Sequence, residues 1–443
     1  MLAKLRAASK SLWLILAVAF CARLGFAWYV QQHNSRQALA TIPFLFESGN
    51  IAHSLATGNG FGSPFLVDTG PTAWMTPAYP LLLAGIFRIL GNYTFSSYIA
   101  AVLLNIVCSA LACVPIYFAG KHIGGIGVAA GAAWLWAIFP NAIQLAVESM
   151  WDASLAALLA GTILWATLVV AESRRARDWC AYGLLWGLAL MTNAALASLL
   201  PFLLGWMAYR AWRRGEQWLR NSALAAGIVV LCCVPWTVRN YAVFHSFVPL
   251  RSTLGLQLFM GNNPQAREVW LGDLHPIFNS AERQKYMDMG EVAYMREKQR
   301  DAIQFMLAHP RREVRLIAYR FVSIWTGGEP HPLRYFLRVR SLWLRGVLLF
   351  NIIFAAVGTC LCILMLVRAR SIYAFPLAVF PVVFPCAYYL TLALPRYRLP
   401  IDPILMLLAA IGIAALASAK SGAGSAPAAN SRAARALPAV RVR

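Results

Sequence analysis

The sequence predicts an all-α polytopic membrane protein, a bundle of about ten transmembrane helices with interfacial helices in its outer loops. Two observations predict it. The 443 residues are 60% hydrophobic and only 13% charged, with a mean hydropathy of +0.60. A soluble domain carries roughly 25% charged residues, so this chain has too few to solvate a globule of its size, and lipid must cover much of its surface. Apolar runs also recur at or near the roughly 20 residues that a spanning helix needs.

The first run, Leu12 to Val30, follows a basic N-terminus with Lys4, Arg6 and Lys10. It resembles a signal peptide, but no small-x-small cleavage site follows and Trp28 and Tyr29 close it like an interfacial belt. An uncleaved first helix is expected. Further runs lie at about 97–119, 124–142, 149–171, 180–193, 195–211, 222–238, 343–367, 372–392 and 400–418. The 14 residues from Pro77 to Leu90 are too short to cross, so a re-entrant or interfacial segment is expected there.

Charge orients the bundle. With a cytoplasmic N-terminus, Arg174, Arg175, Arg177, Arg213, Arg214, Arg220, Arg368 and Arg370 all fall in cytoplasmic segments. The net charge of +22 is therefore read as membrane orientation. The bilayer is the expected partner and nucleic acid is not. The expected organisation is residues 1–30, N-terminus and first helix; 31–96, first outer loop; 97–238, transmembrane core; 239–342, outer periplasmic segment; 343–418, C-terminal helices; 419–443, disordered cytoplasmic tail. In the second outer segment, Asn279-Ser280 caps an expected helix running to Ala308, and His309-Pro310 breaks it. Residues 311–325 then suit a helix lying on the membrane surface. The nine cysteines sit mainly in apolar runs and predict no disulfide framework.

Acids at the edge of apolar segments are costly, which makes them functional candidates. Glu47 has apolar neighbours that raise a carboxyl's pKa and suit a general base, although a hydrogen-bonded loop carboxylate fits as well. Glu148 and Asp152 are four apart and would share one helix face, either as catalytic acids or as complements to the helix dipole. Arg239, Arg396 and Arg398 fall on the outer side and break the positive-inside bias. They suit either phosphate chelation or snorkelling to headgroups. No histidine has metal-ligand spacing, so no metal site is assigned and no cofactor is expected, while acid pairs leave a divalent cation open.

Four stretches then resemble a known group. They are residues 51–61 with Gly70-Pro71-Thr72-Ala73-Trp74 and the run from Pro77 through Tyr79 to Ala84; Pro235-Trp236-Thr237-Val238-Arg239-Asn240; Gly261-Asn262-Asn263-Pro264; and Arg396-Tyr397-Arg398-Leu399-Pro400. Their order and topology resemble the polytopic glycosyltransferases of the GT-C fold, in the branch with protein O-mannosyltransferases and lipid A aminoarabinose transferases. The resemblance implies a polyprenyl-phosphate sugar as donor and a site on the outer face of a bacterial-type inner or plasma membrane. The acceptor would be a lipid, glycan or protein. It implies Glu47 as the first-loop acid, although the family usually places Asp several residues upstream, where this chain has Phe44 or Leu45. Glu148 or Asp152 would be the second acid. Arg239, Arg396 and Arg398 would hold the donor phosphate, and Trp74, Tyr79, Asn262, Asn263 and Tyr397 would line the substrate site. A polyprenyl-lipid or sugar transporter, and a non-catalytic relative, remain open alternatives; a transporter predicts mid-helix charges and repeated halves.

Overall fold

The computed structural model describes residues 11–266 and 272–420. The basic N-terminus and nearly all of the expected tail lie outside them. Among the described residues the chain is helical, and its only strand-like pairing is an isolated bridge between Gly62 and Pro71. All nine cysteines are free thiols.

Seven helical stretches are long and apolar enough to cross a membrane: Leu12–His33, Phe95–Ala137, Ala153–Val170, Ala194–Arg213, Trp218–Phe244, Leu342–Arg368 and Pro395–Ser418. The protein is an integral membrane protein. The expected count of ten is not confirmed, and each departure has an identifiable reason. Phe95–Ala137 contains two expected runs that fold back at Gly125, whose φ of 77° only glycine adopts freely. The expected run 124–142 ends at Ala137, because Pro140 cannot continue a helix and opens a separate one, Pro140–Glu148. The expected run 180–193 forms Ala176–Thr192, 17 residues long. The run 372–392 forms two short helices, Ala374–Val383 and Cys386–Leu390, on either side of Pro385. Residues 77–90 give the 13-residue helix Ala78–Leu90, packed against Glu47–Ala56.

Without water to drive helices together inside a membrane, close approach of small residues and hydrogen bonding hold a bundle. Gly183 and Gly187, one turn apart, let Ala176–Thr192 approach Trp218–Phe244: a Cβ on Gly183 would meet the Ala225 carbonyl oxygen at 2.6 Å. Arg23, fully buried in the first helix, is spent the same way. It donates to Ser109 Oγ at 2.8 Å and to the carbonyls of Ala19 at 2.8 Å and Ala137 at 3.0 Å. The last of these is an orphan acceptor at a helix end. Arg23 therefore ties three segments together and gives no support to a transport pathway.

The second outer segment differs from its expected form in one place. Asn279 does cap a helix, accepting from Ala281 N and Glu282 N. Gly290, with φ of 76°, then splits the expected helix into Ser280–Met289 and Glu291–Ala308. Pro310 opens the next helix, Pro310–Thr326. Leu254–Gly261 packs on Glu291–Ala308. At its end, a Cβ on Gly261 would strike the Thr391 carbonyl oxygen. Gly261→Ala is therefore expected to destabilise the protein by about 1–3 kcal/mol. Thermal unfolding in detergent checks it, with Gly205→Ala, whose Cβ would meet nothing within 4 Å, as the silent control.

Candidate active site

Glu47 is the first residue of Glu47–Ala56, where the amide dipoles favour a carboxylate. Its side chain is buried, with Oε1 3.1 Å from His275 Nε2. The Ile277 amide donates to His275 Nδ1 at 3.2 Å, so the imidazole carries its proton on Nε2 and donates it to Glu47. Among the described residues, buried Glu47 Oε2 has no hydrogen-bond partner. Burial pushes the Glu47 carboxyl up. The His275 hydrogen bond, a backbone hydrogen bond and the Arg396 charge outweigh it, and the carboxyl lies below its ordinary value.

Asp152 reaches the same place from the other side. Ser48 Oγ donates to the Met150 carbonyl at 2.6 Å, and Phe46 packs on Trp151 at 6.2 Å, so the residues flanking each acid touch. Asp152 precedes the Ala153–Val170 span and accepts from Asn193 Nδ2 at 2.8 Å. Enclosure pushes its carboxyl above the ordinary value, against the Asn193 hydrogen bond and the charges of Arg251 and Arg396. Arg396 lies with its guanidinium carbon 4.2 Å from the Trp151 ring centre and 5.4 Å from that of Tyr397. Among the described residues no carboxylate comes within ion-pair distance of it. Tyr397 stacks on Tyr388 at 4.9 Å. One carboxylate below its usual range, one above it, and a guanidinium acting on both thus meet where helices begin and end.

Other expected residues lie elsewhere. Glu148 and Asp152 share no helix face, because Pro140–Glu148 stops at extended Ser149; Glu148 is exposed and accepts from Gln144 Nε2 at 2.8 Å. Arg398 is 2% exposed and turned into the framework, donating to Asp402 Oδ1 at 2.6 Å, the Ile324 carbonyl at 2.6 Å and Asn351 Oδ1. Arg239 donates to the carbonyls of Thr72 and Phe61, each at 2.6 Å, and stacks on Phe61 and Trp236. It fastens the first outer segment to the end of Trp218–Phe244, with no donor aimed at the acids. Asn262 accepts from Arg320 at 2.9 Å and donates to the Leu390 carbonyl at 2.7 Å, while Asn263 caps its own turn by accepting from Gln265 N at 2.8 Å. Both are framework residues. Trp74 and Tyr79 stand behind the acids: Trp74 packs edge-on to His275 at 5.5 Å, and Tyr79 donates to Asn105, which in turn holds the Ser149 carbonyl at 3.0 Å.

Four contributors were not singled out for the site in the sequence. They are His275, Trp151, Asn193 and Arg251, whose Nε donates to Thr253 Oγ1 at 2.7 Å. None has a local spacing that marks it. Glu291, also unforeseen, accepts from Ala73 N at 2.8 Å, Tyr286 OH at 2.7 Å and Thr72 Oγ1, clamping the Gly70–Trp74 stretch to the second outer segment. A cavity of about 250 Å³ is lined in part by Asn141, Gln144, Glu329, Leu145, Leu344 and Pro395, the last being the residue before Arg396. Among the described residues no three His, Cys, Asp or Glu side chains group as metal ligands.

Residues 74–238 match the family of dolichyl-phosphate-mannose-protein mannosyltransferases. A 137-residue stretch is 31% identical to the undecaprenyl phosphate-alpha-4-amino-4-deoxy-L-arabinose arabinosyl transferase of Pseudomonas aeruginosa, covering 30% of this chain and 22% of that enzyme. The same-named enzyme of Pseudomonas paraeruginosa is 40% identical over 82 residues, 18% of this chain and 15% of the enzyme. The matched stretches thus span less than a quarter of those relatives. Among solved structures, the oligosaccharyltransferase AglB of Archaeoglobus fulgidus, in complex with an inhibitory peptide and a dolichol-phosphate, superposes with a TM-score of 0.52 at 14% identity. That match covers 97% of this chain and 52% of AglB, so this chain spans about half of its length. The chain has the GT-C membrane fold.

The two arginines make separable predictions. Arg398→Ala leaves Asp402 buried and unpaired, which costs about 3–5 kcal/mol. A strongly lowered unfolding temperature in detergent is expected for it, and an almost unchanged one for Arg396→Ala.

Proposed function

We propose that this protein transfers a sugar from a polyprenyl-phosphate donor to a lipid, glycan or protein acceptor, with both termini in the cytoplasm and the site on the outer, periplasmic face of the membrane. The observation that carries the proposal is the meeting of Glu47, Asp152 and Arg396 at helix ends. A transporter would hold its charges mid-helix. The one buried mid-helix arginine of the first span, Arg23, is spent on carbonyls.

The chemistry follows from the geometry. The acceptor nucleophile attacks the anomeric carbon, and the bond from that carbon to the phosphate oxygen breaks. The acceptor's proton passes to Glu47 Oε2. The departing polyprenyl phosphate gains negative charge, which Arg396 and Arg251 stabilise. Asp152 holds both guanidiniums in its field. Transfer that survives EDTA is proposed as well; among the described residues no three His, Cys, Asp or Glu side chains group together.

The test is transfer from a radiolabelled undecaprenyl-phosphate sugar to membrane lipids by purified protein in vesicles. Glu47→Gln is expected to lose about 10²–10⁴-fold in rate, and Arg396→Ala about 10²–10³-fold. Glu148→Gln keeps the wild-type rate. Uptake of sugar into vesicles without transfer, or full activity in both Glu47→Gln and Arg396→Ala, overturns the proposal.

A further inference from the structure

The Glu47 carboxylate is asymmetric. Oε1 is occupied by His275, and Oε2 has no partner. The asymmetry is imposed from outside the Glu47 helix. His275 sits in a tight turn in which its own amide donates to the Gly272 carbonyl at 2.8 Å, and its carbonyl accepts from Phe278 N and Asn279 N, each at 3.0 Å. Asn279 closes the turn by donating to the Asp273 carbonyl at 2.7 Å. The imidazole is walled by Trp74 at 5.5 Å, Phe65 at 6.3 Å and Phe278 at 6.4 Å. The Ile277 amide fixes which nitrogen carries the proton. Ring position and tautomer are thus both set by the second outer segment, while the carboxylate belongs to the first.

We propose that His275 is a positioning residue for Glu47, holding Oε1 through Nε2–H so that Oε2 alone is presented to the acceptor's proton. This inference rests on the transferase proposal above. The groups that favour ionised Glu47 from other elements are the His275 imidazole, from the 272–279 turn, and the Arg396 charge, from the start of the last span. Asp152 is brought near by the Phe46–Trp151 contact and shares the field of Arg396. Of these, only His275 hydrogen-bonds Glu47. Its loss leaves burial, which pushes the carboxyl up, opposed by less.

The sign is therefore fixed. Glu47 works ionised, and without His275 it takes up its proton at higher pH. In His275→Ala, the acid limb of kcat/KM for sugar transfer is expected to move up by about one to two pH units. Activity recovers on the alkaline side. His275→Gln, which keeps an N–H donor, returns the limb toward wild type. A merely structural histidine would instead lower the rate equally at every pH, and that outcome overturns the proposal. A second measurement needs no turnover: infrared titration of the protonated-carboxyl band, assigned to Glu47 by its absence in Glu47→Gln. In His275→Ala that band is expected to appear at higher pH. If it appears at the wild-type pH, the positioning role fails while transfer stands. If it shifts in a protein that transfers no sugar, the pairing stands and the transferase proposal fails.

Discussion

Only Tyr397 separates Arg396 from Arg398, and a helix turns through about 200° over two positions, so the two cannot face the same way. The structure settles which one faces inward. Arg398 drives into the bundle and meets Asp402, the Ile324 carbonyl and Asn351, the first residue of a π-helical stretch, Asn351–Gly358, in the Leu342–Arg368 span. That lock joins the last span, the Pro310–Thr326 helix and the Leu342–Arg368 span. With Arg398 fixed, Arg396 is turned onto Trp151, where its charge bears on both acids. Stability and chemistry are thus divided between two arginines of one short motif. Arg398, 2% exposed, is closed off from a ligand by the framework it holds.

The same division explains what the sequence revealed. Apolar runs were legible because the bilayer imposes a length and a composition, and most of the expected runs became helices. Their ends were less legible. Pro140, Pro385, Gly125 and Gly290 each break or split a run, and each break is a local backbone effect that an average over an apolar window conceals. Of the candidate site, Glu47, Asp152, Arg396 and Tyr397 were legible because polar groups at apolar edges are costly. Arg239, Arg398, Asn262 and Asn263 were equally conspicuous, for a different reason: they satisfy carbonyls and carboxylates inside the framework. Sequence marks an expensive residue without saying what it is spent on. His275 was illegible as a partner of Glu47, since nothing local links residues so far apart in the chain.

The two outer segments act as one layer, and the Glu291 clamp is the reason. A buried carboxylate that accepts three hydrogen bonds, two of them across the segments from Thr72 and Ala73, cannot lose one cheaply. It fixes Thr72 and Ala73, and hence Trp74, which forms one wall of the His275 ring. Arg239 adds a second fastening to the same stretch through the Thr72 carbonyl. The Gly70–Trp74 stretch therefore connects a membrane helix, the second outer segment and the surroundings of the Glu47 pair.

The opposite shifts of the two carboxyls bear on timing. Glu47, held below its usual range, is a weak base, and Asp152, raised, a stronger one. Pairs of groups pushed apart in this way commonly divide the work of a site. On the proposed chemistry, a base as weak as Glu47 cannot strip a hydroxyl proton in advance. It can accept that proton only as the new bond to the anomeric carbon forms and makes the hydroxyl acidic. The bond to phosphate must then already be loosening, so the arginine charge is needed in the same step rather than afterwards. Arg396 bears on both carboxyls at once. Ionised Glu47 and the charge arriving on phosphate draw on the same guanidinium. As Glu47 takes up its proton, the guanidinium's field is released to the leaving group, coupling the two halves of the transfer.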